Sequence, residues 1–338
     1  MRILISTNIH IPLHQAVSGM ELSSLTFLEG LSEISDDLKL QVTVMAHSDS
    51  KLPPNINHWK LTPKPLNQRY EKYGEHINKW HNFAIEVAFQ KAFLTQKKFD
   101  LMHDQSSAFS PSLQAMRTKT PFVKTSRLFS FHPTYNLVSE AADCLVHISD
   151  YAFQEDYNPD ARMNIVIKDF ISLPQFEAVN EIFLPKVFSL SVGRVEERKG
   201  HHVAAKIAQE RNLPLIIIGE IVDHSYAKEL QDLPYVTLLG PLPHSQIIDV
   251  IKKAQIFLWF PMVPETNGRV VIEALKIGTP VLGHNIGALY DLWLSKEATL
   301  LSDNLVYAEN VSSCWPSDKK EVALAYFNMY QKVLKNHA

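Results

Sequence analysis

The chain has 338 residues, of which 46% are hydrophobic, with a formal net charge of −3 and an isoelectric point near 6.6. This length allows two hydrophobic cores, so we expect two domains, and the charge balance gives no support for nucleic-acid binding. The two cysteines, Cys144 and Cys314, argue against a disulfide framework and indicate a reducing compartment.

The first half of the chain alternates strand and helix patterns, as in a parallel sheet covered on both faces. MRILISTN predicts the first strand, and SGMELSSLTFLEGL, with Gly19 near its entrance, predicts the helix that follows. FDLMHDQS and PFVKTSR predict two further strands, whose ends carry His103 and Arg127. We expect residues 1–175 to form a Rossmann-like domain.

Residues 60–98 combine basic and aromatic side chains in a partly helical segment. A surface of this kind allows a peripheral enzyme to lie on anionic lipid. The aromatic residues equally fit the buried face of an ordinary helix, and we favour this second interpretation. No run approaches the roughly 18 apolar residues of a membrane-spanning helix. We therefore expect a cytoplasmic protein, with peripheral contact at the inner face of the membrane through 60–98 as the open alternative.

Six strand patterns follow in the second half, separated by helix patterns. They are VFSLSV, PLIIIG, YVTLLG, IFLWF, TPVLGH and ATLLS. They predict a second Rossmann-like domain over residues 186–318. The irregular stretch 171–186 is the expected hinge, and residues 319–336 have the apolar periodicity of a helix.

Two cations follow a predicted strand in FSLSVGRVEERKGHHVAAKIAQ. Gly193 marks a tight turn, Arg194 follows it, and Lys199 stands at the start of the next helix. Open α/β sheets bind ligands at this end of their strands, where fixed cations would offset phosphate charge. Taken alone, the two residues also fit a solvated charged turn.

The strongest functional signal is a pair of glutamates eight positions apart, Glu265 and Glu273. Glu265 lies in the loop after IFLWF, and Glu273 lies about a turn and a half inside the helix that Gly268 opens. Backbone N–H groups at such a helix start, here near Asn267 and Gly268, form an anion site. Carboxylates near a helix start also complement the helix dipole, which is the structural explanation for the pair alone.

Together these motifs resemble the nucleotide-sugar domain of the retaining glycosyltransferases of family four. That family has a G-R turn, a K-G pair and an E-x7-E motif. The second glutamate of this motif begins the pattern E-A-(L/M)-x-x-G-x-P-V. This chain has Gly193–Arg194, Lys199–Gly200, Glu265 to Glu273, Ala274–Leu275, Gly278 and Pro280–Val281. The resemblance spans about residues 186–295 and implies the α/β GT-B fold, two Rossmann-like domains with parallel sheets facing across a cleft. In that fold, helix 319–336 completes the acceptor-binding domain, and 186–318 binds the nucleotide-sugar.

The resemblance also implies a role for each matched residue. Arg194 and Lys199 bind the diphosphate, Glu273 the ribose and Glu265 the donor sugar, while Leu242 falls where family members contact the base. Glu265, Arg194 and Lys199 are the expected catalytic residues. The family resemblance further implies retention of anomeric configuration, with the leaving phosphate accepting the acceptor's proton.

The first domain resembles the family less closely. Of the two glycines that often precede its first helix, Gly19 remains. Gln105 replaces the second histidine of the family's His-x-His, in which His103 is the first, and Arg127 replaces the histidine of Thr-x-His. Because a guanidinium presents several fixed donors, Arg127 can contact sugar or phosphate, and His103 is a second candidate for sugar or acceptor contact.

The expected function is transfer of a hexose from a nucleotide-sugar, UDP-sugar being favoured over GDP-sugar. The expected acceptor is a glycan or a lipid-linked molecule in cell-surface polysaccharide or lipopolysaccharide synthesis. There is no Asp-x-Asp motif, and the pair His10 and His14 lacks further ligands, so we expect no metal and no cofactor. Two alternatives stay open: a non-catalytic nucleotide-sugar-binding partner and a nucleotide-sugar epimerase, both on the same fold.

Overall fold

The computed structural model describes residues 1–8, 12–13, 19–60, 99–106, 115, 117–127, 141–174, 183–311 and 314–337. The chain forms two compact units. Unit 1 comprises Met1–Ile148, Phe153–Phe170 and Pro316–Ala338, and unit 2 comprises Ser149–Ala152 and Ile171–Trp315. The basic and aromatic segment 60–98 lies outside the described residues except for Lys60. His10, His14 and part of the expected hinge 171–186 also lie outside them.

The elements are numbered along the chain. The described strands are β1 (Arg2–Ser6), β2 (Gln41–Ala46), β3 (Ile56–Lys60), β4 (Leu101–Asp104), β5 (Phe122–Ser126), β6 (Cys144–His147), β7 (Asn164–Val166), β8 (Ser189–Val192), β9 (Leu215–Ile218), β10 (Val236–Gly240), β11 (Ile256–Trp259), β12 (Val281–His284), β13 (Thr299–Ser302) and β14 (Leu305–Ala308). The described helices are α1 (Gly19–Ser35), α2 (Asp150–Glu155), α3 (His201–Glu210), α4 (His224–Gln231), α5 (His244–Lys253), α6 (Arg269–Ile277), α7 (Gly287–Leu294) and α8 (Lys319–His337). A short 3₁₀ helix spans Glu197–Lys199.

Unit 1 is built on a parallel sheet with the strand order β3-β2-β1-β4-β5-β6-β7. Strands β4, β5 and β6 are buried at every position, which is typical of a parallel sheet covered on both faces. The order reverses at β1 and β4, and ligands of doubly wound sheets bind at the carboxyl ends of strands beside such a reversal.

The C-terminal helix α8 packs on unit 1 beside α1. Tyr326 and Tyr330 of α8 are fully buried, and the ring of Phe27 in α1 lies 4.5 Å from that of Tyr326. A Cβ on Gly30 would lie 2.4 Å from the carbonyl oxygen of Lys319, so the close approach of the two helices requires glycine there. Burial of both tyrosines contributes to the stability of unit 1.

Unit 2 has the strand order β10-β9-β8-β11-β12-β14-β13. The strands from β10 to β12 are parallel, whereas β14 is antiparallel to both β12 and β13. The sequence patterns missed β14, which makes this edge of an otherwise parallel sheet antiparallel. Residues 303–304 alone separate β13 from β14, and a parallel connection needs a dozen or more residues, so the two strands form a hairpin.

Each unit has its own hydrophobic core on both sides of its sheet. The candidate site residues of the second half lie at the carboxyl ends of β8, β10 and β11 or in the helices that follow them. Within the described part of the chain, no helix combines the length and the hydropathy needed to cross a bilayer.

Candidate active site in unit 2

The turn after β8 is fixed by a buried histidine. Nε2 of His201, the first residue of α3, lies 3.1 Å from the carbonyl oxygen of Arg194, and Nδ1 lies 2.9 Å from Oγ of Ser191. Because a carbonyl oxygen only accepts, Nε2 donates and Nδ1 accepts from the serine. Burial lowers the pKa of His201 to about 4, so the ring is neutral near pH 7. The neutral ring therefore holds the backbone of Arg194 in place.

The side chain of Arg194 is accessible at this turn. Its Nη2 lies 3.1 Å from Oε1 of Glu196, and Nε of Arg198 lies 2.9 Å from the same oxygen. The Arg194 side chain is 48% exposed, so a ligand can reach it. The turn itself packs tightly, because a Cβ on Gly219 would lie 1.8 Å from the carbonyl oxygen of Gly193.

Lys199 and Glu265, which are far apart in sequence, form an ion pair between Nζ and Oε1. Gly200 makes this approach possible, because its φ of 68° is left-handed and a Cβ there would lie 1.7 Å from the carbonyl oxygen of Phe260. The two paired side chains are 25% and 21% exposed. The pair is therefore accessible, and the structure brings together two residues that the sequence assigned to one site.

The backbone of the Glu265 loop is anchored through its carbonyl groups. The carbonyl oxygen of Thr266 accepts from Oγ of Ser149, and that of Asn267 accepts from the Ala288 amide at 2.6 Å. A Cβ on Gly287 would lie 2.9 Å from the carbonyl oxygens of both Glu265 and Asn267, so this packing requires glycine. These contacts fix the loop against α7 and the segment that begins at Ser149.

Asn267 and Gly268 lie where the loop enters α6. Asn267 is 7% exposed, and its buried Oδ1 has no hydrogen-bond partner in the part of the chain that the structure describes. Gly268 has a left-handed φ of 81°, and a Cβ there would lie 2.8 Å from Cζ2 of Trp259. No side chain caps this helix start, so its first amides can meet an anion.

Glu273 is buried, with 3% of its surface exposed, and two side chains donate to it. Nε2 of His244 lies 2.9 Å from Oε1, and Nε of Arg269 lies 2.8 Å from the same oxygen. Sequence reasoning missed both donors. The Arg269 contact is a helical i,i+4 pair that the sequence could have revealed, whereas the His244 contact joins α5 to α6 and depends on the fold.

Leu242, the candidate base contact, is half-buried in the loop between β10 and α5. It packs against the core of unit 2 and stands two residues before His244. The His244–Glu273 contact therefore places the candidate base loop near the candidate ribose residue.

In unit 1, His103 is buried and fully engaged. Its Nδ1 lies 2.6 Å from the hydroxyl of Tyr330, and its Nε2 lies 2.7 Å from Oγ1 of Thr125. Burial, reinforced by nearby positive charge, holds the pKa of His103 well below its usual range. No ring nitrogen is left for a ligand in this geometry. His103 joins β4 and β5 to α8, and its contact with a sugar or acceptor stays a prediction.

The other unit 1 candidates differ in exposure. Arg127 is 6% exposed and forms an ion pair with Asp169. Gln105 is 1% exposed, and neither of its amide atoms has a partner among the described residues. Gly19 is exposed at the first position of α1. Contact of Arg127 or Gly19 with a ligand therefore stays a prediction.

The unit 2 arrangement can bind an anion and accept hydrogen bonds from hydroxyl groups. Two accessible cations and an uncapped helix start provide positive charge, while two glutamates provide acceptors. Among the residues that the structure describes, no group of three or more His, Cys, Asp or Glu side chains could hold a metal ion. These contacts are compatible with a phosphate-containing ligand that also carries hydroxyl groups.

Part of the chain is similar to a known protein family. Residues 174–306 match the family model described as glycosyl transferases group 1. The chain is 24% identical over 333 residues to an uncharacterised 42.6 kDa protein in the cps region of Klebsiella pneumoniae, covering 86% of this chain and 87% of that protein. It is 28% identical over 120 residues to a processive diacylglycerol α-glucosyltransferase of Acholeplasma laidlawii, covering 34% of this chain and 36% of that protein.

A solved structure extends the likeness to both units. HepE of Anabaena in complex with UDP-glucose matches with a TM-score of 0.60 and 15% identity, covering 100% of this chain and 92% of that one. Two parallel-sheet α/β units with such neighbours have the GT-B fold, and the predicted fold class is confirmed. The family match over residues 174–306, together with the relatives and the fold, supports a glycosyltransferase. The match includes Arg194, Lys199, Glu265 and Glu273.

Proposed function

We propose that the protein is a retaining, metal-independent hexosyltransferase that uses a nucleotide-sugar donor. The observation that carries this proposal is the accessible Lys199–Glu265 ion pair at the ends of two neighbouring parallel strands. A UDP-sugar is the favoured donor, because HepE was solved with UDP-glucose. A GDP-sugar is the alternative donor.

The charges of the site fit the bond that must break. Cleavage of the bond between the anomeric carbon and the phosphate oxygen leaves negative charge on the diphosphate. Lys199, Arg194 and the first amides of α6 are the donors that would stabilise this charge. In this proposal, an incoming phosphate replaces Glu265 as the partner of Lys199. Glu265 then accepts from a hydroxyl of the donor sugar.

Asn267 supports a ligand in this position. Its buried Oδ1 lacks a partner, and an unsatisfied buried acceptor costs about 1–3 kcal/mol. A donor hydroxyl bound between Glu265 and the start of α6 would satisfy it. We include Asn267 and Gly268 among the donor-binding residues, together with Glu273 for the ribose and Leu242 for the base.

Retention of configuration is part of this proposal because the resemblance to the retaining family implies it. No residue acts as a nucleophile on the sugar in this proposal, so retention requires that the acceptor attacks the face that the phosphate leaves. The leaving phosphate takes the acceptor's proton while the new glycosidic bond forms. The Acholeplasma relative is an α-glucosyltransferase, which supports this stereochemistry.

The proposed acceptor is a glycan or a lipid-linked molecule. The Acholeplasma relative is named for transfer to diacylglycerol, and the Klebsiella relative for its place in a cps region. Cell-surface polysaccharide or lipopolysaccharide synthesis is the corresponding process. A cytoplasmic location and a membrane contact through residues 60–98 remain predictions.

A donor-turnover assay tests the proposal. Purified protein is incubated with UDP-glucose, UDP-galactose or GDP-mannose, with and without a membrane-lipid extract, and release of the nucleoside diphosphate is measured. We expect release with one donor, and a loss of about 100-fold or more in Glu265→Gln. The matched control is Glu229→Gln, an exposed glutamate of α4 in the same unit.

The other outcomes identify the alternatives. Nucleotide binding without transfer or hydrolysis would support the non-catalytic partner. Conversion of the donor sugar without any acceptor or nucleotide release would support the epimerase. Unchanged turnover in Glu265→Gln would contradict the proposed role of this residue.

A further inference from the structure

His244 is the donor to Glu273 that the sequence did not predict. It is the first residue of α5, directly after the candidate base loop, and its side chain is 23% exposed. Its Nε2 lies 2.9 Å from Oε1 of Glu273. A ring nitrogen that meets a carboxylate at this distance carries a proton, whether the imidazole is neutral or charged. The ring therefore donates to Glu273 in both states.

Glu273 does not need His244 to balance its charge. The guanidinium of Arg269 is always protonated and already contacts Oε1 at 2.8 Å. Nη2 of Arg269 also donates to the carbonyl oxygen of Ser172 at 3.3 Å, so the guanidinium is held through two of its nitrogens. His244 is thus a second donor on an oxygen that already has a cationic partner.

Both described donors approach the same oxygen of Glu273. Oε2 has no partner within the described part of the chain. Two donors from different helices restrict the rotation of the carboxylate more than one can. With Oε1 held in this way, Oε2 is the oxygen left to accept from a ligand.

We propose that His244 is a positioning residue of the donor site that makes the enzyme selective for a ribonucleotide over a 2′-deoxyribonucleotide. This inference rests on the proposed function, in which Glu273 binds the ribose. His244 and Arg269 hold Oε1, and Oε2 accepts from the ribose hydroxyls. A deoxyribonucleotide leaves part of the acceptor capacity of this buried carboxylate unused, which weakens its binding.

The test compares the dissociation constants of UDP and 2′-deoxy-UDP by calorimetry. We expect wild type to prefer UDP by about 10-fold or more, the effect of a hydrogen bond to a charged group. His244→Ala should lower this preference by about fivefold. His244→Gln keeps an N–H donor and should retain most of it. A role confined to folding would weaken both ligands equally and leave the ratio unchanged.

Two further variants make the test specific. Glu273→Gln should remove most of the preference, and adding His244→Ala to it should cause no further loss, because His244 acts through Glu273. The matched control is His224→Ala, an exposed histidine that likewise begins a helix of unit 2. It should behave as wild type.

The possible failures are distinguishable. If wild type binds neither UDP nor GDP, the proposed function fails, and this inference fails with it. If wild type binds UDP without preferring the ribose form, or if His244→Ala keeps the full preference, the inference about His244 is wrong and the proposed function stands.

Discussion

Two ion pairs, one in each unit, differ in exposure. In unit 2, the side chains of Lys199 and Glu265 are 25% and 21% exposed. In unit 1, those of Arg127 and Asp169 are each 3% exposed. An accessible pair can exchange one partner for a ligand at modest cost, whereas removing one partner of a buried pair strands a charge. We therefore expect the Lys199–Glu265 pair to exchange a partner for a ligand more readily than the Arg127–Asp169 pair does.

The largest expected effect is on the stability of unit 1. Arg127→Ala removes the buried guanidinium that pairs with Asp169, and we expect a loss of about 3–5 kcal/mol in the free energy of unfolding. Urea denaturation followed by circular dichroism measures it. The control is Arg162→Ala, whose side chain is 67% exposed in its pair with Asp143, and which should change stability by less than about 1 kcal/mol. A small effect of Arg127→Ala would remove the distinction between the pairs.

The next effect is on the acid stability of unit 2. Burial lowers the pKa of His201 to about 4, so the unfolded chain takes up a proton at higher pH than the folded chain does. Stability is therefore full above pH 6.5 and falls as pH drops towards 4, by about 3 kcal/mol from this residue.

His201→Gln tests the assignment, because glutamine does not titrate in this range. Its unfolding free energy should depend less on pH between 6.5 and 4 than that of wild type. His224→Gln, at an exposed position, is the control and should leave the profile unchanged. If the unfolding free energy of His201→Gln fell between pH 6.5 and 4 as much as that of wild type, groups other than His201 would cause the loss of stability.

The smallest expected effect is a gain in nucleotide affinity. Glu265 competes with phosphate for Lys199, so Glu265→Gln should bind UDP about two- to fivefold more tightly although it loses turnover. Calorimetry at constant ionic strength measures the change, since salt screens such an accessible pair. Weaker binding of UDP would show that Glu265 assists the nucleotide rather than competing with it.

The fold class and the candidate site of unit 2 could be predicted where the residues that define them are close together in the sequence. The E-x7-E spacing lies within one strand, loop and helix, so the sequence alone was enough to predict a site there, and that site stays a prediction. Gly200 and Gly268 have left-handed backbones and lie too close to Phe260 and Trp259 for any side chain. The structure therefore explains why these two positions are glycine. Local patterns, through the family that they resemble, therefore predicted the fold class.

Contacts between distant segments could not be predicted. His244 reaches Glu273 from another helix, and Ser149 reaches the Glu265 loop from a segment far earlier in the chain. The burial of His103 depends on α8, which is more than 200 residues away. A polar residue at a strand end gives the same sequence signal whether it is buried or accessible. Side-chain burial and partners therefore had to be read from the structure.

The most direct test of the proposed phosphate site is the affinity of Lys199→Ala for UDP, measured by calorimetry. The control is Lys206→Ala, a substitution of an exposed lysine of α3. We expect Lys199→Ala to bind UDP at least about tenfold more weakly than wild type, because a charge-assisted contact with phosphate is lost. Lys206→Ala should bind UDP as wild type does. Equal affinity in both variants would contradict the claim that the accessible ion pair of unit 2 exchanges its carboxylate for a donor phosphate.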